Sequence, residues 1–260
     1  MKMFYNLVIV MIIVSLSGCV SMWSTNNTAS HNSTMSQTEA TAFTATNAPQ
    51  HGITKDGLFE YEILEGKATI TGVLKTCKEI VIPEKIDGCF VSCIGALAFY
   101  QHDCTSIIFP QSLESIQSAA FYRCDALSEI TIPNGVTFIA NDAFFRTSSL
   151  RCIHVQENNT NYSDIDGVLY NIDKTILITY PEGRLDEQYK LPDGLLAISD
   201  QAFGYAPFVK RLIVPKGVFE FPDQPLSVFW EEMTLVVEQG SYAEAYALTM
   251  GMHVEYYSNP

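Results

Sequence analysis

Residues 120 to 155 carry one pattern twice, at an interval of 23 residues. The pair Ala120-Phe121 returns as Ala143-Phe144, and the triplet Ile130-Thr131-Ile132 returns as Ile153-His154-Val155. Self-similarity at a fixed period of roughly 20 to 50 residues is typical of solenoids, in which each repeat forms one coil of a stack. A chain with this pattern is therefore restricted to an architecture of stacked coils.

Neighbouring segments follow the same template. In four copies a proline closes a short apolar triplet, and further apolar residues follow three and six positions later; an earlier copy, at Pro83, reaches Ala98-Phe99 with about five extra residues inserted. Three of the copies then carry Ala-Phe ten and eleven positions after the proline. Agreement over several columns is a far stronger signal than a single short motif. The prolines that mark the copies are Pro83, Pro110, Pro133, Pro192 and Pro215.

The spacing within one copy predicts its local structure. Ile130 and Ile132 alternate with Thr131, which is the period-2 pattern of a short strand with one outward side chain. Pro133 has no backbone donor and ends the strand, and the following Asn-Gly favours a turn. One coil cannot bury its apolar side chains alone, whereas stacked coils bury them between neighbours. The sequence therefore predicts a mainly β repeat solenoid of short strands and turns.

This repeat resembles the BspA-type leucine-rich repeats of bacterial surface proteins. The resemblance rests on Ile-x-Ile-Pro followed by Val, Ile, Ala-Phe, Cys and Leu, and it covers about residues 58 to 257. Leu127 and Leu150 match the leucine of the family, and Cys104 and Cys124 match its cysteine column. The resemblance implies a right-handed leucine-rich-repeat superhelix. It also implies a role in attachment to host matrix proteins and to other bacteria.

The two ends and one internal segment depart from the repeat. Residues 158 to 181 resemble the interruption that the family has between repeats, and residues 240 to 257 resemble its C-terminal end. Alternating segments on either side of Glu65-Gly66-Lys67 predict a hairpin. We expect this hairpin to cap the first coil, because an open solenoid end exposes core and edge strands. Alanines at alternate positions within residues 242 to 250 predict a short helix over the last coil.

Residues 1 to 19 have the features of an export signal. Lys2 supplies a positive charge, and the apolar run at residues 7 to 14 is too short to span a membrane comfortably. Leu16-Ser17-Gly18-Cys19 is similar to the bacterial lipobox, which implies cleavage before Cys19 and attachment of diacylglycerol to its sulfur. An ordinary secretory signal with a chance cysteine is the alternative. We expect an exported protein, lipid-anchored to the membrane and displayed on the cell surface.

Composition then divides the chain into five segments. Ser, Thr and Asn dominate after Cys19, and such a segment buries too little apolar surface to fold. We expect a lipoprotein signal peptide at 1–19, a disordered tether at 20–52, a capping hairpin at 53–75, leucine-rich repeats at 76–238 with an interruption at about 156–187, and a C-terminal cap at 239–260.

The net charge of −14 argues against one class of partner. Sequence-independent nucleic-acid binding needs Lys and Arg to neutralise phosphates, and this chain has 15 of them against 29 acidic residues. The same charge disfavours docking of the protein surface on anionic lipid. We expect a monomer that binds no nucleic acid and is held at the membrane through its anchor.

Residues that could perform catalysis do not converge in the sequence. The five histidines form no metalloprotease pair, and there is no nucleophile elbow, phosphate-binding glycine loop or dinucleotide fingerprint. Neighbouring acids such as Asp164 with Asp166, and Glu231 with Glu232, are interpreted as solvated loop charges. We therefore expect no catalytic residues, no cofactor and no metal.

Six cysteines follow Cys19, and the sequence leaves their state open. An even number in an exported chain permits three disulfides, with the region 77 to 104 favoured. Buried thiols are the alternative for Cys104 and Cys124, because these residues occupy a repeat column. A zinc site is a third interpretation, although the cysteine spacing is not that of a known finger. The six are Cys77, Cys89, Cys93, Cys104, Cys124 and Cys152.

The outward strand positions form a candidate binding surface. If the coils stack in register, these side chains lie in a row on one sheet face, and the row is more apolar than a solvated face needs. The alternative is that β-branched residues simply favour strands. The row comprises Val81, Ile108, Thr131, His154, Ile213 and Val236.

These observations together favour a non-catalytic adhesion or recognition module. We expect it to bind an extracellular or cell-surface protein or glycan through the solenoid surface. Two alternatives stay open, namely an envelope-structural lipoprotein without a host ligand and an enzyme with a dispersed site.

Overall fold

The computed structural model describes residues 48–224 and 226–257. Within this part, the chain is a mainly β solenoid of about eight turns with one short α-helix, α1 (Tyr242–Met250). The predicted fold class is therefore confirmed. The predicted signal peptide, its lipobox Cys19 and the tether up to residue 47 lie outside the described residues.

The strands are short, as the repeat pattern predicts. They are β1 (Gln50–Ile53), β2 (Phe59–Leu64), β3 (Lys67–Val73), β4 (Glu79–Val81), β5 (Lys85–Ile86), β6 (Cys89–Ile94), β7 (Ser106–Ile108), β8 (Ser115–Ile116), β9 (Glu129–Ile132), β10 (Phe138–Ile139), β11 (Cys152–Val155), β12 (Tyr162–Ile165), β13 (Val168–Asn171), β14 (Ile176–Thr179), β15 (Gln188–Lys190), β16 (Ala197–Ile198), β17 (Arg211–Ile213), β18 (Thr234–Val237) and β19 (His253–Tyr256).

Each regular coil contributes one strand to each of two separate columns of paired strands. The strands of the first column pair in parallel as β4-β7, β9-β11 and β15-β17-β18-β19. The 23-residue period sets the register, so that Ile130 lies opposite Ile153 and Leu212 lies opposite Leu235. The inward residues of neighbouring coils thus stack on one another and form the core.

The second column begins at the N-terminal end. Sheet β1-β2-β3-β6-β8-β10 places Ile70, Ile94, Ile116 and Ile139 in successive register. The two-residue strand β5 also pairs with β6. The column is resumed by β14 and β16, which pair in parallel through Leu177 and Ile198.

The N-terminal cap is the predicted hairpin with one additional strand. Strands β2 and β3 pair antiparallel, and the turn residues Glu65 and Gly66 both have positive φ, 51° and 77°. That backbone matches the right-handed twist of hairpins. Strand β1 pairs antiparallel with β2. Gln50 to Gly52 belong to this strand although the sequence placed them in the tether.

Turns that carry Ala-Phe stack by backbone hydrogen bonds and by their rings. Phe99 N–H donates to the Ala120 carbonyl, and Phe121 N–H donates to the Ala143 carbonyl, both at 2.9 Å. The ring centroid of Phe121 lies 4.9 Å from that of Phe99 and 5.5 Å from that of Phe144. The phenylalanines fill the centre of the stack, as the repeat pattern predicts.

The interruption forms a wall between two hydrophobic cores. Alternate side chains of a strand point to opposite faces. In β13 and β14, Leu169 and Ile178 pack into the core of the N-terminal coils. Val168, Tyr170 and Leu177 pack into the core of the C-terminal coils. The sheet is therefore apolar on both sides.

Helix α1 closes the C-terminal end. The Ser241 hydroxyl caps the helix by accepting from Glu244 N–H at 3.2 Å, and Gly251 ends it with a φ of 71°. Tyr246 is buried against Phe221, with ring centroids 4.4 Å apart. The chain then adds β19 beside β18, so the helix and this strand together cover the last coil.

Candidate interaction surface

The outward strand row begins as an exposed apolar pair. Val81 and Ile108 lie directly opposite each other on β4 and β7. Their side chains are 63% and 62% exposed, while the preceding residue of each strand, Ile80 and Ile107, is buried in the core. Large apolar side chains that stay in water at neighbouring positions are a feature of interaction surfaces.

The next two positions of the row are polar. Thr131 and His154 lie opposite each other on β9 and β11, and both are exposed. The four residues from Val81 to His154 therefore stand on outward positions of the N-terminal coils. The structure places this part of the row as the sequence predicted.

The row changes character beyond the interruption. There Lys190, Ile213, Val236 and Glu255 follow one another in register on β15, β17, β18 and β19. Ile213 is half-buried, and Val236 is only 5% exposed. The prediction that Val236 faces solvent is wrong.

Val236 lies on β18 between Ile213 and Glu255, and two interactions span this strand. The Arg211 guanidinium forms an ion pair with Glu255, and this pair spans β18. The Tyr257 hydroxyl also crosses the strand and donates to the Val214 carbonyl at 3.3 Å. Both contacts involve the last residues of the described chain, Glu255 in β19 and Tyr257 directly after it.

A second partly exposed row lies on the turns and was missed in the sequence analysis. The rings of Tyr100 and Tyr122 stack with centroids 5.8 Å apart, and those of Tyr122 and Phe145 stack at 5.9 Å. Tyr100, at the end of this stack, is 50% exposed. The signal was visible, because in three copies an aromatic residue directly follows Ala-Phe.

Comparison with known families identifies the repeats. Residues 74–183 match the BspA type Leucine rich repeat region in six copies. This region belongs to the BspA-type leucine-rich repeat family. The sequence placed the BspA-type repeats from about residue 76, and the match also spans the interruption.

Solved structures of bacterial leucine-rich repeat proteins resemble this chain. A leucine-rich repeat protein from Eubacterium ventriosum ATCC 27560 is 19% identical, with 82% of this chain and 73% of that chain covered and a TM-score of 0.50. A leucine rich cell surface protein from Faecalibacterium prausnitzii A2-165 is 17% identical, with coverages of 83% and 97% and a TM-score of 0.33. The leucine-rich repeat protein of T. pallidum is 20% identical, with coverages of 83% and 99% and a TM-score of 0.40. The first of these likenesses shows the fold. No curated protein matches the sequence.

All six cysteines of the described part of the chain are free thiols. Cys104 and Cys124 are fully buried in their repeat column, and the Cys124 thiol lies 3.0 Å from the Phe99 carbonyl, to which it donates. Contact with Cys104 and burial raise the pKa of the Cys124 thiol. Within residues 48–224 and 226–257, no group of three or more His, Cys, Asp or Glu side chains could hold a metal ion.

The neighbouring acidic residues singled out in the sequence occupy structural or solvent-exposed positions. Asp164 accepts from Val155 N–H at 2.9 Å, which ties the interruption hairpin to the preceding coil. Asp166 occupies its turn with a φ of 50°. Glu232 forms an ion pair with Lys210, and Glu231 is exposed.

The described residues contain no helix that is both long enough and apolar enough to cross a membrane.

Proposed function

We propose that this protein is an exported, lipid-anchored adhesion or recognition module that binds a surface protein or glycan without catalysis. Six copies of a BspA-type repeat support an interaction or surface role. Stacked coils present a rigid, repetitive face of the kind that solenoids use for extended partners. The proposed anchor is a lipid on Cys19.

The observation that carries the proposal is the exposed strand row of the N-terminal coils. Val81 and Ile108 contribute adjacent apolar surface, and Thr131 and His154 extend it with polar groups. A partly apolar centre with a polar continuation is the composition of many protein interfaces. We place the contact on these four residues and omit Val236, which is buried. Ile213, which is half-buried, forms at most an edge of this surface.

The test compares binding of two variants to a panel of extracellular-matrix proteins and cell-surface glycans. Changing Val81 and Ile108 together to Lys should weaken binding at least tenfold, because apolar contact is replaced by two charges. The melting temperature should stay within about 2 °C, since exposed positions contribute little to stability. Leu248→Lys is the matched control, because Leu248 is 62% exposed on helix α1 at the opposite end.

Two outcomes would redirect the proposal. Binding that survives the double change but is lost in Tyr100→Ala would move the contact to the aromatic row on the turns. Failure to bind any partner, together with resistance to added protease on intact cells, would favour the envelope-structural alternative.

A further inference from the structure

The first column of strands begins and ends with an open edge. Within the described part of the chain, β4 pairs only with β7, and β19 pairs only with β18. The hairpin cap does not pair with β4, because β1, β2 and β3 belong to the sheet of the second column. An open edge presents unpaired backbone N–H and C=O groups, to which a further strand can add.

The hydrogen bonds of β4 show which of its backbone groups are free. Ile82 N–H, directly after the strand, donates to the Ile108 carbonyl at 3.0 Å. Because alternate residues of a parallel strand bond to opposite sides, Ile80 and Ile82 face β7. Glu79 and Val81 therefore turn their N–H and C=O groups to the open edge, where no described residue bonds to them.

The same alternation identifies the free groups of β19. Tyr257 N–H, directly after the strand, donates to the Val237 carbonyl at 3.2 Å. Glu255 and Tyr257 therefore face β18. Val254 and Tyr256 turn their N–H and C=O groups away from it, and no described residue bonds to these groups.

The two open edges are the two halves of the pairing found inside the stack. In the internal pairs of this column, residues at inward positions of the earlier strand bond to residues at outward positions of the later strand. Val214 N–H, for example, donates to the Val236 carbonyl at 2.9 Å. The free residues of β19 stand at inward positions, and those of β4 stand at outward positions. The edge of β19 is therefore that of an earlier strand, and the edge of β4 is that of a later strand.

The two edges fit each other when they come from different molecules. We propose that the chain associates head to tail with a second copy of itself, with β19 of one copy pairing in parallel with β4 of the next. In the register of the internal pairs, Val254 lies opposite Ile80 of the next copy, and Glu255 lies opposite Val81. Val81 N–H then donates to the Val254 carbonyl, and Tyr256 N–H donates to the Val81 carbonyl.

Apolar side chains are exposed near both edges. Tyr256, in β19, is 55% exposed, and Leu74, in the segment that leads into β4, is 47% exposed. Large apolar side chains that stay in water are a feature of interaction surfaces. A second copy supplies the strand that each end lacks, so a single kind of molecule satisfies both edges.

The contact is heterologous, because the two surfaces that meet are different. Such contacts extend into open chains of molecules unless the rotation between copies closes a ring. The proposal departs from the monomer expected from the sequence. It requires no surface partner and no lipid anchor, so it stands apart from the proposed function.

The test is the mass of the full chain in mild detergent, measured by sedimentation from about 5 to about 200 µM. The unaltered chain should pass from one copy to assemblies of more than two. Val254→Pro and Val81→Pro each remove one free N–H from an open edge, where proline is tolerated, and each variant should stay at one copy. His253→Ala and Glu79→Ala are the matched controls, because they change exposed side chains of the same strands, keep every backbone donor and should associate like the unaltered chain.

Mixing the two proline variants separates head-to-tail pairing from any other contact. Val254→Pro keeps an intact β4 edge, and Val81→Pro keeps an intact β19 edge. The mixture should therefore form complexes of two copies and no more. Association of either variant alone to the level of the unaltered chain would overturn the proposal.

A second measurement covers the case in which a proline variant does not fold. A chain with Val81→Cys is mixed with a chain with Glu255→Cys and treated with a short bis-maleimide. Since the two positions face each other across the junction, the mixture should give several-fold more cross-linked pairs than either variant alone. Glu157→Cys in place of Glu255→Cys is the control, because Glu157 is exposed outside both edges and should give only the background of the native cysteines. One copy at every concentration, with no product specific to the mixture, would contradict head-to-tail pairing.

Discussion

At the scale of single residues, the direction of a side chain determines how much the residue contributes to the free energy of folding. Phe144 is 3% exposed, and its ring stacks on that of Phe121 at the centre of the coil. Thr131 stands only 13 positions earlier in the sequence and points into water. The alternation within one strand and the position of the turn thus separate a core residue from a surface residue in the same repeat.

Phe144→Ala should destabilise the fold strongly. The change removes a buried ring and leaves a cavity between coils, for which we expect a loss of about 3–5 kcal/mol in the free energy of unfolding. Thr131→Ala is the surface comparison and should cost less than about 1 kcal/mol. Denaturant titration of both variants measures the difference, and similar small losses would show that the inward and outward faces are misassigned.

At the scale of elements, residues within one repeat were predictable and contacts between distant segments were not. The strands that contain Thr131 and His154, the hairpin around Glu65-Gly66 and helix α1 all follow from local alternation, turn residues and the 23-residue period. The burial of Val236 could not be predicted in this way, and the Arg211–Glu255 ion pair that spans its strand joins residues 44 positions apart. The pairing of β14 with β16 also depends on partners outside the local pattern.

The end of the interruption packs closely against the backbone of the preceding coil, more than 30 residues earlier in the sequence. Gly183 N–H donates to the Leu150 carbonyl at 2.7 Å, and a β-carbon on Gly183 would lie 2.5 Å from the carbonyl carbon of Ser149. These neighbouring backbone atoms cannot move aside for a β-carbon as the end of a flexible side chain can. Only glycine fits at this contact.

Gly183→Ala should therefore loosen the interruption from the coil before it. We expect a loss of about 1–3 kcal/mol in the free energy of unfolding, the usual cost of overpacking. Gly194→Ala is the matched control, because no atom lies within 4 Å of the position its β-carbon would take. An equal effect of the two substitutions in chemical denaturation would contradict the close packing at Gly183.

At the scale of the whole molecule, function depends on where the solenoid is held. The lipobox residue Cys19 lies outside the described residues, so the anchor remains a prediction from Leu16-Ser17-Gly18-Cys19. Several acyl chains at about 0.8 kcal/mol per buried methylene would hold the protein stably at a membrane. The surface row could then meet partners only if the anchored protein faces outward.

Cys19→Ser should abolish lipid attachment. We expect no incorporation of labelled fatty acid, and either release of the protein or accumulation of the uncleaved chain. Cys77→Ser serves as the control, because this cysteine lies in the folded region and should leave labelling intact. Unchanged labelling of the Cys19 variant would rule out the lipobox.

The wall formed by β13 and β14 affects how such a chain can gain or lose repeats during evolution. Each coil contacts only its neighbours, and the wall contributes one face to each core. Duplication or loss of a whole 23-residue unit on either side would leave the wall and its packing intact, while the stack grows or shrinks by about 4.8 Å per strand. Unequal recombination could therefore adjust the reach of the protein without rebuilding its middle.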